Sequence, residues 1–309
     1  VASLRLAIEH YEPDVIHTHG LRANFAGRLA GRARGVPVVT TVHSAISRDY
    51  ANPMKGIVAT ALDGLTLPLT DRFIAISNAI KADLIQRGVA PDKVTVIYNG
   101  IDETPSRPTR LEARKRLGIG TDEFAVGSVA RLEPNKGIRY LVGAASELSR
   151  CISGLKVVIV GSGSEGESLK KLALKLGLEK EVVFCGFLPD AIKLLVAFDV
   201  FAMPSLSEGF GLAAVEAMAA RVPVVASRVG GLAEIFEDGE SGLLVEPGDR
   251  MALANAILSL YERPDRRSGL AEKAYKVYRA KFTAERFIAE TESLLMEVCA
   301  GRKLGDPRS

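Results

Sequence analysis

Short apolar runs rich in valine and isoleucine alternate with segments of helical spacing along most of this chain. Val36–Val42 is typical of the apolar runs, and Leu21–Arg34, which ends at Gly35, is typical of the helical segments. A strand, a crossover helix and a second strand form the repeating unit of a parallel sheet with helices on both faces. The alternation therefore predicts an α/β fold. The predicted strands are Val15–Thr18, Val36–Val42, Phe73–Ile76, Val94–Tyr98, Phe124–Ala130, Lys156–Val160, Val182–Phe184, Val200–Met203, Val222–Ala226 and Gly242–Val245.

The alternation is interrupted once, where prolines, arginines and threonines replace the strand pattern around Pro105 and Pro108. Such punctuation marks a linker, and 309 residues are enough for two complete cores. We therefore predict a first domain over 1–104, a linker over 105–122, a second domain over 123–282, and a C-terminal helix over 283–309 that packs back on the first domain. Arg263–Val298 is predicted to be helical throughout. Two parallel-sheet domains in tandem place a ligand in the cleft between them.

Composition narrows the class of protein. The net charge of +3 provides no bulk attraction for nucleic acid. Cys151, Cys185 and Cys299 include no C-x-x-C pair, which argues against a disulfide framework or a zinc site and fits a reducing cytosol. No apolar run reaches membrane-spanning length, and Val1–His10 lacks the apolar centre of a signal peptide. A cytoplasmic protein is expected.

Two basic clusters occur in predicted helices, one at Arg28, Arg32 and Arg34 and the other around Arg110 and Arg114. Solvated helix faces are the expected explanation for both clusters. A weaker alternative is that the first cluster touches an anionic membrane surface, so peripheral contact with the inner membrane stays open.

The stretch Ser205–Met218 is expected to bind an anion. It joins a predicted strand to an alanine-rich helix, and Gly209 and Gly211 in the turn allow close approach of a ligand to the backbone. Free amides and the dipole at a helix N-terminus attract negative charge. Glu208 and Glu216 flank the turn. The pattern predicts a site for a phosphorylated donor.

Arg131 and Lys136 follow the first predicted strand of the second domain, five residues apart across a proline turn. An arginine fork and a lysine point charge at the carboxyl end of a strand can clamp a diphosphate. The alternative is a solvated turn with a surface salt bridge to Glu133. The acidic turn at Glu208 in the same domain favours the clamp.

Residues Gly161–Gly166 spell G-x-G-x-x-G after a predicted strand. A dinucleotide fingerprint also requires an acidic residue at the end of the next strand. That strand, Val182–Phe184, ends without one. We therefore interpret Gly161 as part of a tight turn near a nucleotide, without an NAD role.

Three of the four histidines follow the first two predicted strands, at His17, His19 and His43. His43 is the best candidate for hydrogen bonding or proton transfer. His-x-His has no further ligands at recognisable spacing, so a metal site is not expected. The absence of a D-x-D pair also favours charge neutralisation by protein cations over a bound metal ion.

The interval from Glu208 to Glu216, which contains E-G-F-G-L, resembles the paired-glutamate motif of retaining family 4 glycosyltransferases. These enzymes have the GT-B fold, in which two Rossmann-like parallel-sheet domains face each other across a cleft. Further blocks resemble the family in family order, and the resemblance as a whole covers nearly everything from Asp14 to Asp249. The blocks are Val94–Asp102, Gly127–Gly137, Val158–Gly163 and Val222–Glu246.

The resemblance implies a retaining, metal-independent transfer of sugar from a UDP- or GDP-linked donor to a glycan or lipid-linked acceptor, without a further cofactor. The departing diphosphate oxygen would take the acceptor proton after front-face attack. By position, the resemblance implies that Arg131 and Lys136 bind the diphosphate, that Glu216 binds the ribose and that Glu208 contacts the donor sugar. Backbone at Phe210, Gly211 and Leu212 would hold the sugar and phosphate. The turns at Gly161, Phe187 and Leu188 would frame the base, and His43 would lie beside the sugar and acceptor.

Two departures from the family pattern are present. Gly230-Gly231-Leu232-Ala233-Glu234 lacks the proline of G-G-x-P-E, and the family's opening strand and glycine-rich loop have no counterpart before Val15. The first domain is therefore expected to be truncated, with an exposed sheet edge. The main alternative function is a donor-binding remnant without turnover. A GT-B sugar-nucleotide epimerase or phosphorylase is less favoured, because the two-glutamate block is present and no lysine is recognisably placed for a pyridoxal cofactor.

Overall fold

The structure, a computed structural model, describes residues 2–44, 53–103 and 107–305. It divides the chain into two compact units, and each is an α/β unit built on a parallel sheet. Unit 1 comprises Val1–Gly100 and Ala284–Ser309, and unit 2 comprises Ile101–Thr283. None of the helices in the described ranges is both long enough and apolar enough to cross a membrane.

The helices and strands alternate in both units, as the apolar pattern predicts. Those of the first stretch are α1 (Ala2–Tyr11), β1 (Ile16–His19), α2 (Leu21–Arg34), β2 (Val38–Val42), α3 (Pro53–Thr66), β3 (Arg72–Ala75), α4 (Asn78–Gln86) and β4 (Val94–Val96). Those of unit 2 are α5 (Arg110–Leu117), β5 (Phe124–Val129), α6 (Ile138–Cys151), β6 (Leu155–Val160), α7 (Gly166–Lys175), β7 (Val182–Gly186), β8 (Val200–Met203), α8 (Leu212–Ala219), β9 (Val224–Ser227), α9 (Leu232–Ile235), β10 (Leu243–Val245), α10 (Arg250–Glu262) and α11 (Pro264–Lys281). The last helix, α12 (Ala284–Gly305), belongs to unit 1.

The sheet of unit 1 has the strand order β1-β2-β3-β4, and all neighbouring strands are parallel. Val39 of β2 and Ile74 of β3 are fully buried and pack with Leu294 of α12. The apolar face of the C-terminal helix thus covers strands that precede it by some two hundred residues in the chain. Burial of this apolar surface is what holds α12 on unit 1.

A buried ion network joins three helices of unit 1. The guanidinium of Arg28 on α2 is fully buried, and its Nη1 donates to Oδ1 of Asp63 on α3 at 2.6 Å. Arg87, just after α4, contacts the other carboxylate oxygen of Asp63 at 2.5 Å. The expectation of a solvated face is therefore wrong for Arg28. Burial lowers the pKa of Arg28, and the Asp63 charge opposes that shift.

The sheet of unit 2 has the order β10-β9-β8-β5-β6-β7, again with parallel neighbours. From β5 the chain builds outwards to β7 at one edge. It then returns to place β8 on the other side of β5 and builds outwards to β10. The order therefore reverses between β5 and β8, and at such a point the following loops diverge and leave a crevice at the carboxyl ends of the strands.

Residues 107–122 of the segment predicted as a linker pack as part of unit 2. Arg114 of α5 is buried, and its Nη2 donates to Oδ2 of Asp199 at 2.7 Å. The same guanidinium donates to the carbonyl oxygens of Ala197, Gly120, Thr121 and Glu123. A solvated face is therefore wrong for Arg114 as well. One arginine with this many acceptors fastens α5 to the body of unit 2.

The C-terminal region consists of two helices, so the prediction that Arg263–Val298 is helical throughout is wrong only at Phe282 and Thr283, next to the predicted start of the C-terminal helix at residue 283. The backbone leaves helical geometry at Phe282, whose buried ring lies edge-to-face on Phe210 at 5.6 Å between ring centroids. Thr283 then pairs with Ile101 in an isolated parallel bridge. Unit 2 therefore ends at Thr283, which this bridge holds in place, and the chain continues into α12 of unit 1.

Replacement of Asp63 by asparagine tests the buried network. The change leaves Arg28 with no carboxylate at 2.6 Å, and removing one member of a buried pair typically costs about 3–5 kcal/mol. We expect a lower midpoint in urea unfolding followed by circular dichroism. Glu290→Gln in the exposed i,i+4 pair with Arg286 is the control and should cost at most about 0.5 kcal/mol. Equal effects of the two variants would contradict a stabilising role for the network.

Candidate functional site

The candidate site lies in unit 2 at the reversal of strand order between β5 and β8. The loop after β5 carries Arg131 and Lys136, and the loop after β8 carries Glu208. Because β5 and β8 are parallel neighbours, their following loops emerge at the same edge of the sheet. Residues that are distant in sequence therefore meet through sheet pairing.

Backbone hydrogen bonds and glycines hold the loop after β8 in place. The amide of Leu206 donates to the carbonyl oxygen of Asn135 at 2.8 Å, which ties this loop to the one after β5. On the other side, the amide of Gly231 donates to the carbonyl oxygen of Glu208 at 3.2 Å. A Cβ atom on Gly230 would overlap that same carbonyl, and its φ of 46° is in the left-handed region. The glycine pair thus fixes the backbone position of Glu208.

Lys136 and Glu208 form an ion pair at this junction. Lys136 Nζ donates to Glu208 Oε2 at 2.6 Å, and the two side chains are only 15% and 13% exposed. Such restricted exposure weakens solvent screening of the pair. The ammonium that is predicted to bind a diphosphate is thus neutralised by the carboxylate that is predicted to face the sugar.

Arg131 is exposed and forms no ion pair with any residue that the structure describes. The alternative salt bridge to Glu133 is not formed. Instead, the Glu133 carboxylate accepts from the Ser164 amide at 3.1 Å and from the Ser164 hydroxyl at 2.7 Å. These hydrogen bonds lower the pKa of Glu133, and the Arg131 charge adds to the effect. The guanidinium therefore stays available to an anion in front of the loop.

Helix α8 begins directly after the acidic turn. Gly211 precedes it with φ of 109°. The Ala214 amide donates to the Gly211 carbonyl oxygen at 2.9 Å, so the amides of Leu212 and Ala213 are the ones left without an acceptor within the helix. Phe210 is buried, which anchors the turn, whereas the Leu212 side chain is 44% exposed. The amide groups of this turn and the helix dipole favour an anion at the same edge as Lys136.

Glu216 lies one helical turn after Leu212, on the partly buried face of α8. Burial raises the pKa of its carboxyl group above the ordinary value, since desolvation penalises the charged form. Among the described residues it forms no ion pair. A half-buried carboxylate without a cationic partner is suited to accept hydrogen bonds from ligand hydroxyl groups.

The turn after β6 also reaches this edge. The amide of Leu132 donates to the carbonyl oxygen of Ser162 at 2.9 Å, and a Cβ atom on Gly161 would overlap the Ala130 carbonyl. Phe187 and Leu188 follow the adjacent strand β7, and the Phe187 ring is 72% exposed. Gly161 therefore serves first to let the two loops touch, and the exposed ring offers a surface for a flat group.

Sequence reasoning missed one contributor to this geometry and assigned no role to a second, buried serine. Ser164 fastens the Glu133 carboxylate, and Ser205 is buried with an Oγ that has no hydrogen-bond partner among the described residues. Both serines lie within stretches that the motifs had marked. Spacing alone does not reveal them, because a serine beside a glycine turn is an ordinary loop residue.

Unit 1 brings three predicted histidines together at the carboxyl ends of β1 and β2. His17 Nε2 lies 2.7 Å from Thr41 Oγ1, and His19 Nδ1 lies 3.0 Å from His43 Nε2. Burial, together with the neighbouring histidines, lowers the pKa of His17 to about 4. The pKa values of His19 and His43 are also lowered, chiefly by burial. At neutral pH the cluster is therefore uncharged and can donate or accept hydrogen bonds.

Within the described ranges, no group of three or more His, Cys, Asp or Glu side chains is arranged to hold a metal ion. The positive charges at the candidate site are Arg131 and Lys136 of the protein itself.

The raised pKa of Glu216 predicts an effect of Glu216→Gln on stability. Between pH 4.5 and its folded-state pKa, the folded protein keeps a proton that the unfolded chain has released, so stability falls as pH rises through this window. Glu216→Gln should therefore unfold at a higher temperature than the parent protein at pH 7, and the difference should vanish near pH 4.

Scanning calorimetry from pH 4 to pH 7 measures this difference. Glu262→Gln, an exposed glutamate at the end of α10, is the matched control and should show no such pH dependence. A Glu216→Gln variant that is less stable than the parent at pH 7 would show that the carboxylate has a stabilising partner instead.

Two family models match consecutive parts of the chain. Residues 1–105 match the model described as Glycosyltransferase Family 4. Residues 109–277 match the model described as Glycosyl transferases group 1, and this second match contains the candidate site.

Individual relatives agree with the family models. An uncharacterized glycosyltransferase of Methanocaldococcus jannaschii is 33% identical over 298 residues, which cover 93% of this chain and 75% of the relative. A D-inositol 3-phosphate glycosyltransferase of Acidothermus cellulolyticus is 36% identical over 265 residues, and the match spans only 58% of that longer protein.

Solved structures align with most of the chain. Anabaena HepE in complex with UDP-glucose has a TM-score of 0.83 and 30% identity, with 94% of this chain and 81% of HepE covered. Sucrose-phosphate synthase of Thermosynechococcus elongatus has a TM-score of 0.86 and 26% identity, with 97% and 77% covered. With its two parallel-sheet units and these neighbours, the chain has the GT-B fold and belongs to the group 1 glycosyl transferases of glycosyltransferase family 4.

Proposed function

We propose that this protein is a retaining, metal-independent glycosyltransferase that takes its sugar from a nucleotide-diphosphate donor. The observation that supports this proposal most strongly is the ion pair between Lys136 and Glu208. It lies where the strand order of unit 2 reverses, beside the start of α8. The site combines protein cations, helix amides and two carboxylates. This combination serves a ligand that has both a diphosphate and several hydroxyl groups.

A uridine diphosphate donor has the strongest support. HepE, at 30% identity, is described in complexes with UDP and with UDP-glucose. In this protein Arg131 and Lys136 would bind the diphosphate, and Glu216 would accept from the ribose hydroxyls. The backbone of Phe210, Gly211 and Leu212 would hold the sugar and phosphate. Gly161, Phe187 and Leu188 would frame the base, with a GDP-linked donor as the alternative.

The proposed chemical step does not depend on a strong general base supplied by the protein. The acceptor hydroxyl attacks the anomeric carbon on the face from which the diphosphate departs, so the configuration is retained. The bond between that carbon and the phosphate oxygen breaks, and its electron pair stays on the oxygen. The same oxygen takes the acceptor proton, while Arg131 and Lys136 neutralise the growing charge. His43, on unit 1, would contact the sugar and acceptor in the neutral form that its lowered pKa favours.

The proposed acceptor is a glycan or a lipid-linked intermediate, which implies action in the cytoplasm or at the inner face of a membrane. Several relatives are named for D-inositol 3-phosphate, so this compound belongs in an acceptor assay as a comparison. The competing proposal is a donor-binding protein without turnover. Release of UDP from UDP-glucose that depends on an added acceptor would exclude that alternative.

The clamp is tested by Arg131→Ala and Lys136→Ala. Each change removes a charge-assisted hydrogen bond to phosphate, which is worth about 1.5–3 kcal/mol, so UDP affinity should fall by about tenfold or more. Titration calorimetry with UDP measures the loss. Arg131 is the cleaner probe, because no described residue pairs with it.

Lys170→Ala on α7 is the matched control, since Lys170 is exposed and pairs only with Glu167 on its own helix among the described residues. The control should bind UDP as the parent protein does. Unchanged UDP affinity in both clamp variants would contradict the assignment of these cations.

The role of Glu208 is tested by Glu208→Gln. The change frees Lys136 from its 2.6 Å partner, so the affinity for UDP should be retained or increased. Sugar transfer should fall by about 100-fold or more, since the loss of one preorganised transition-state contact has this effect. Titration calorimetry and initial rates, measured on the same preparation, separate the two effects. A loss of UDP affinity as large as that of Lys136→Ala would instead make Glu208 a residue that only positions the lysine.

A further inference from the structure

The loops after β5 and β6 of unit 2 are fastened to each other along their backbones. The amide of Leu132 donates to the carbonyl oxygen of Ser162 at 2.9 Å, and the amide of Glu165 donates to the carbonyl oxygen of Leu132 at 2.8 Å. A Cβ atom on Gly163 would lie 2.5 Å from the same Leu132 oxygen, so glycine permits this close approach. The Leu132 side chain is buried. The backbone on both sides of Leu132 therefore has a fixed position.

Arg131 and Glu133 are the two chain neighbours of Leu132, and they have opposite charges. The Glu133 amide donates to the Arg131 carbonyl oxygen at 2.9 Å, and this tight turn keeps the two residues close together. Because the backbone is fixed, side-chain rotation alone decides whether the carboxylate pairs with the guanidinium. The Arg131 charge contributes to the lowered pKa of Glu133, as expected for opposite charges at close range. Glu133 is therefore a competitor for any anion that binds Arg131.

Ser164 decides this competition. Its hydroxyl donates to Oε2 of Glu133 at 2.7 Å and its amide donates to Oε1 at 3.1 Å, so both carboxylate oxygens have a donor. Hydrogen bonds to an ionised acceptor are stronger than those between neutral groups, and two of them hold the carboxylate in this position. Arg131 is left exposed and without an ion pair to any residue in the described ranges. A serine of the neighbouring loop thus holds the carboxylate that would otherwise neutralise the arginine.

We propose that Ser164 is a positioning residue for nucleotide binding, which acts by holding the Glu133 carboxylate away from Arg131. The proposal rests on the proposed function, in which Arg131 binds the donor diphosphate. The contribution of Ser164 is to keep one positive charge unpaired until a diphosphate arrives. The ligands that respond to this serine are therefore nucleoside diphosphates, whereas a nucleoside without phosphate is unaffected.

The two cations of the site are thus held in different ways. Lys136 is paired with Glu208 at 2.6 Å, whereas the hydrogen bonds between Ser164 and Glu133 keep Arg131 unpaired among the described residues. A diphosphate must displace a carboxylate from Lys136, but it meets no such competitor at Arg131. The field of an exposed, unpaired charge reaches further into solvent than that of an ion pair, and salt screens it. Arg131 therefore makes the first contact with the incoming anion, and the effect of Ser164 depends on ionic strength.

Ser164→Ala tests the proposal by removing the shorter of the two hydrogen bonds to Glu133. The carboxylate should then pair with Arg131 for part of the time. Since an exposed ion pair changes an equilibrium constant by up to about fivefold, UDP affinity should fall by about two- to fivefold. Uridine affinity should not change, and Ser164→Thr, which retains the hydroxyl, should bind UDP as the parent protein does. Titration calorimetry at low ionic strength measures these affinities, and added salt should reduce the loss.

Glu133→Gln separates this positioning role from a merely structural one. Without the Glu133 charge, Ser164→Ala should no longer lower UDP affinity, and it should also have no effect in the Arg131→Ala background. Ser168→Ala is the matched control, since Ser168 is an exposed serine whose hydroxyl donates to the backbone carbonyl oxygen of Glu165. The control should bind UDP as the parent protein does. Equal losses for Ser164→Ala with and without the Glu133 charge would overturn the proposal.

Chemical modification of Arg131 gives a readout that needs no nucleotide. Phenylglyoxal attacks guanidinium groups, and an arginine that pairs with a carboxylate reacts more slowly than an unpaired one. The rate at Arg131, followed by mass spectrometry, should fall by about two- to fivefold in Ser164→Ala and recover when Glu133→Gln is added.

The same variants keep this proposal separate from the proposed function. A loss of UDP affinity in Arg131→Ala but not in Ser164→Ala would overturn the role of Ser164 alone. UDP binding that persists in Arg131→Ala would instead overturn the assignment of Arg131 to the diphosphate, and with it the role of Ser164 in nucleotide binding. The modification rates would in that case still show whether Ser164 controls the partner of Glu133.

Discussion

The parallel pairing of β5 with β8 sets the position of every charged group at the candidate site. The chain completes one half of the sheet before β8 returns to the side of β5, and the order of strands reverses there. Loops that follow two such strands emerge at one edge but turn away from each other. The resulting crevice has the cations of one loop on one side and the acidic turn and helix start of the other loop on the opposite side. Removal of that one pairing would separate Lys136 from Glu208.

With the roles proposed for Lys136 and Glu208, their ion pair would link donor binding to chemistry. Both side chains are largely buried, so each would be costly to leave without a partner in the unliganded protein. A diphosphate that binds Lys136 competes with the carboxylate for the same ammonium group. The carboxylate that is released would then be free to accept hydrogen bonds from sugar hydroxyls. Donor binding at Lys136 would thus release Glu208, the residue proposed to face the donor sugar, from its ion pair.

A buried charge network has a comparable organising role in unit 1. Asp63 holds α2, α3 and the end of α4 together through Arg28 and Arg87. The same contacts determine the rotation of α3 and therefore the direction of its aliphatic side chains. The buried ion network of unit 1 and the exposed apolar face of α3, which includes Ile57 and Leu65, therefore both depend on the contacts of Asp63. The histidine cluster at the carboxyl ends of β1 and β2 is a separate feature, which burial keeps uncharged at neutral pH.

The sequence by itself determined the alternation of strands and helices, and with it the two parallel-sheet units, because apolar periodicity reflects which residues face a core. It also located the acidic turn, the two cations and the glycines, since these depend on local backbone geometry and on the types of charge. The tertiary structure alone decided that Arg28 and Arg114 are buried, because helical spacing does not show which face a neighbouring helix or loop will cover. It also decided the ion pair between Lys136 and Glu208, the contact of Phe282 with Phe210 and the outward face of α3. Each of these depends on contacts between segments that are far apart in the chain, and no local pattern encodes such contacts.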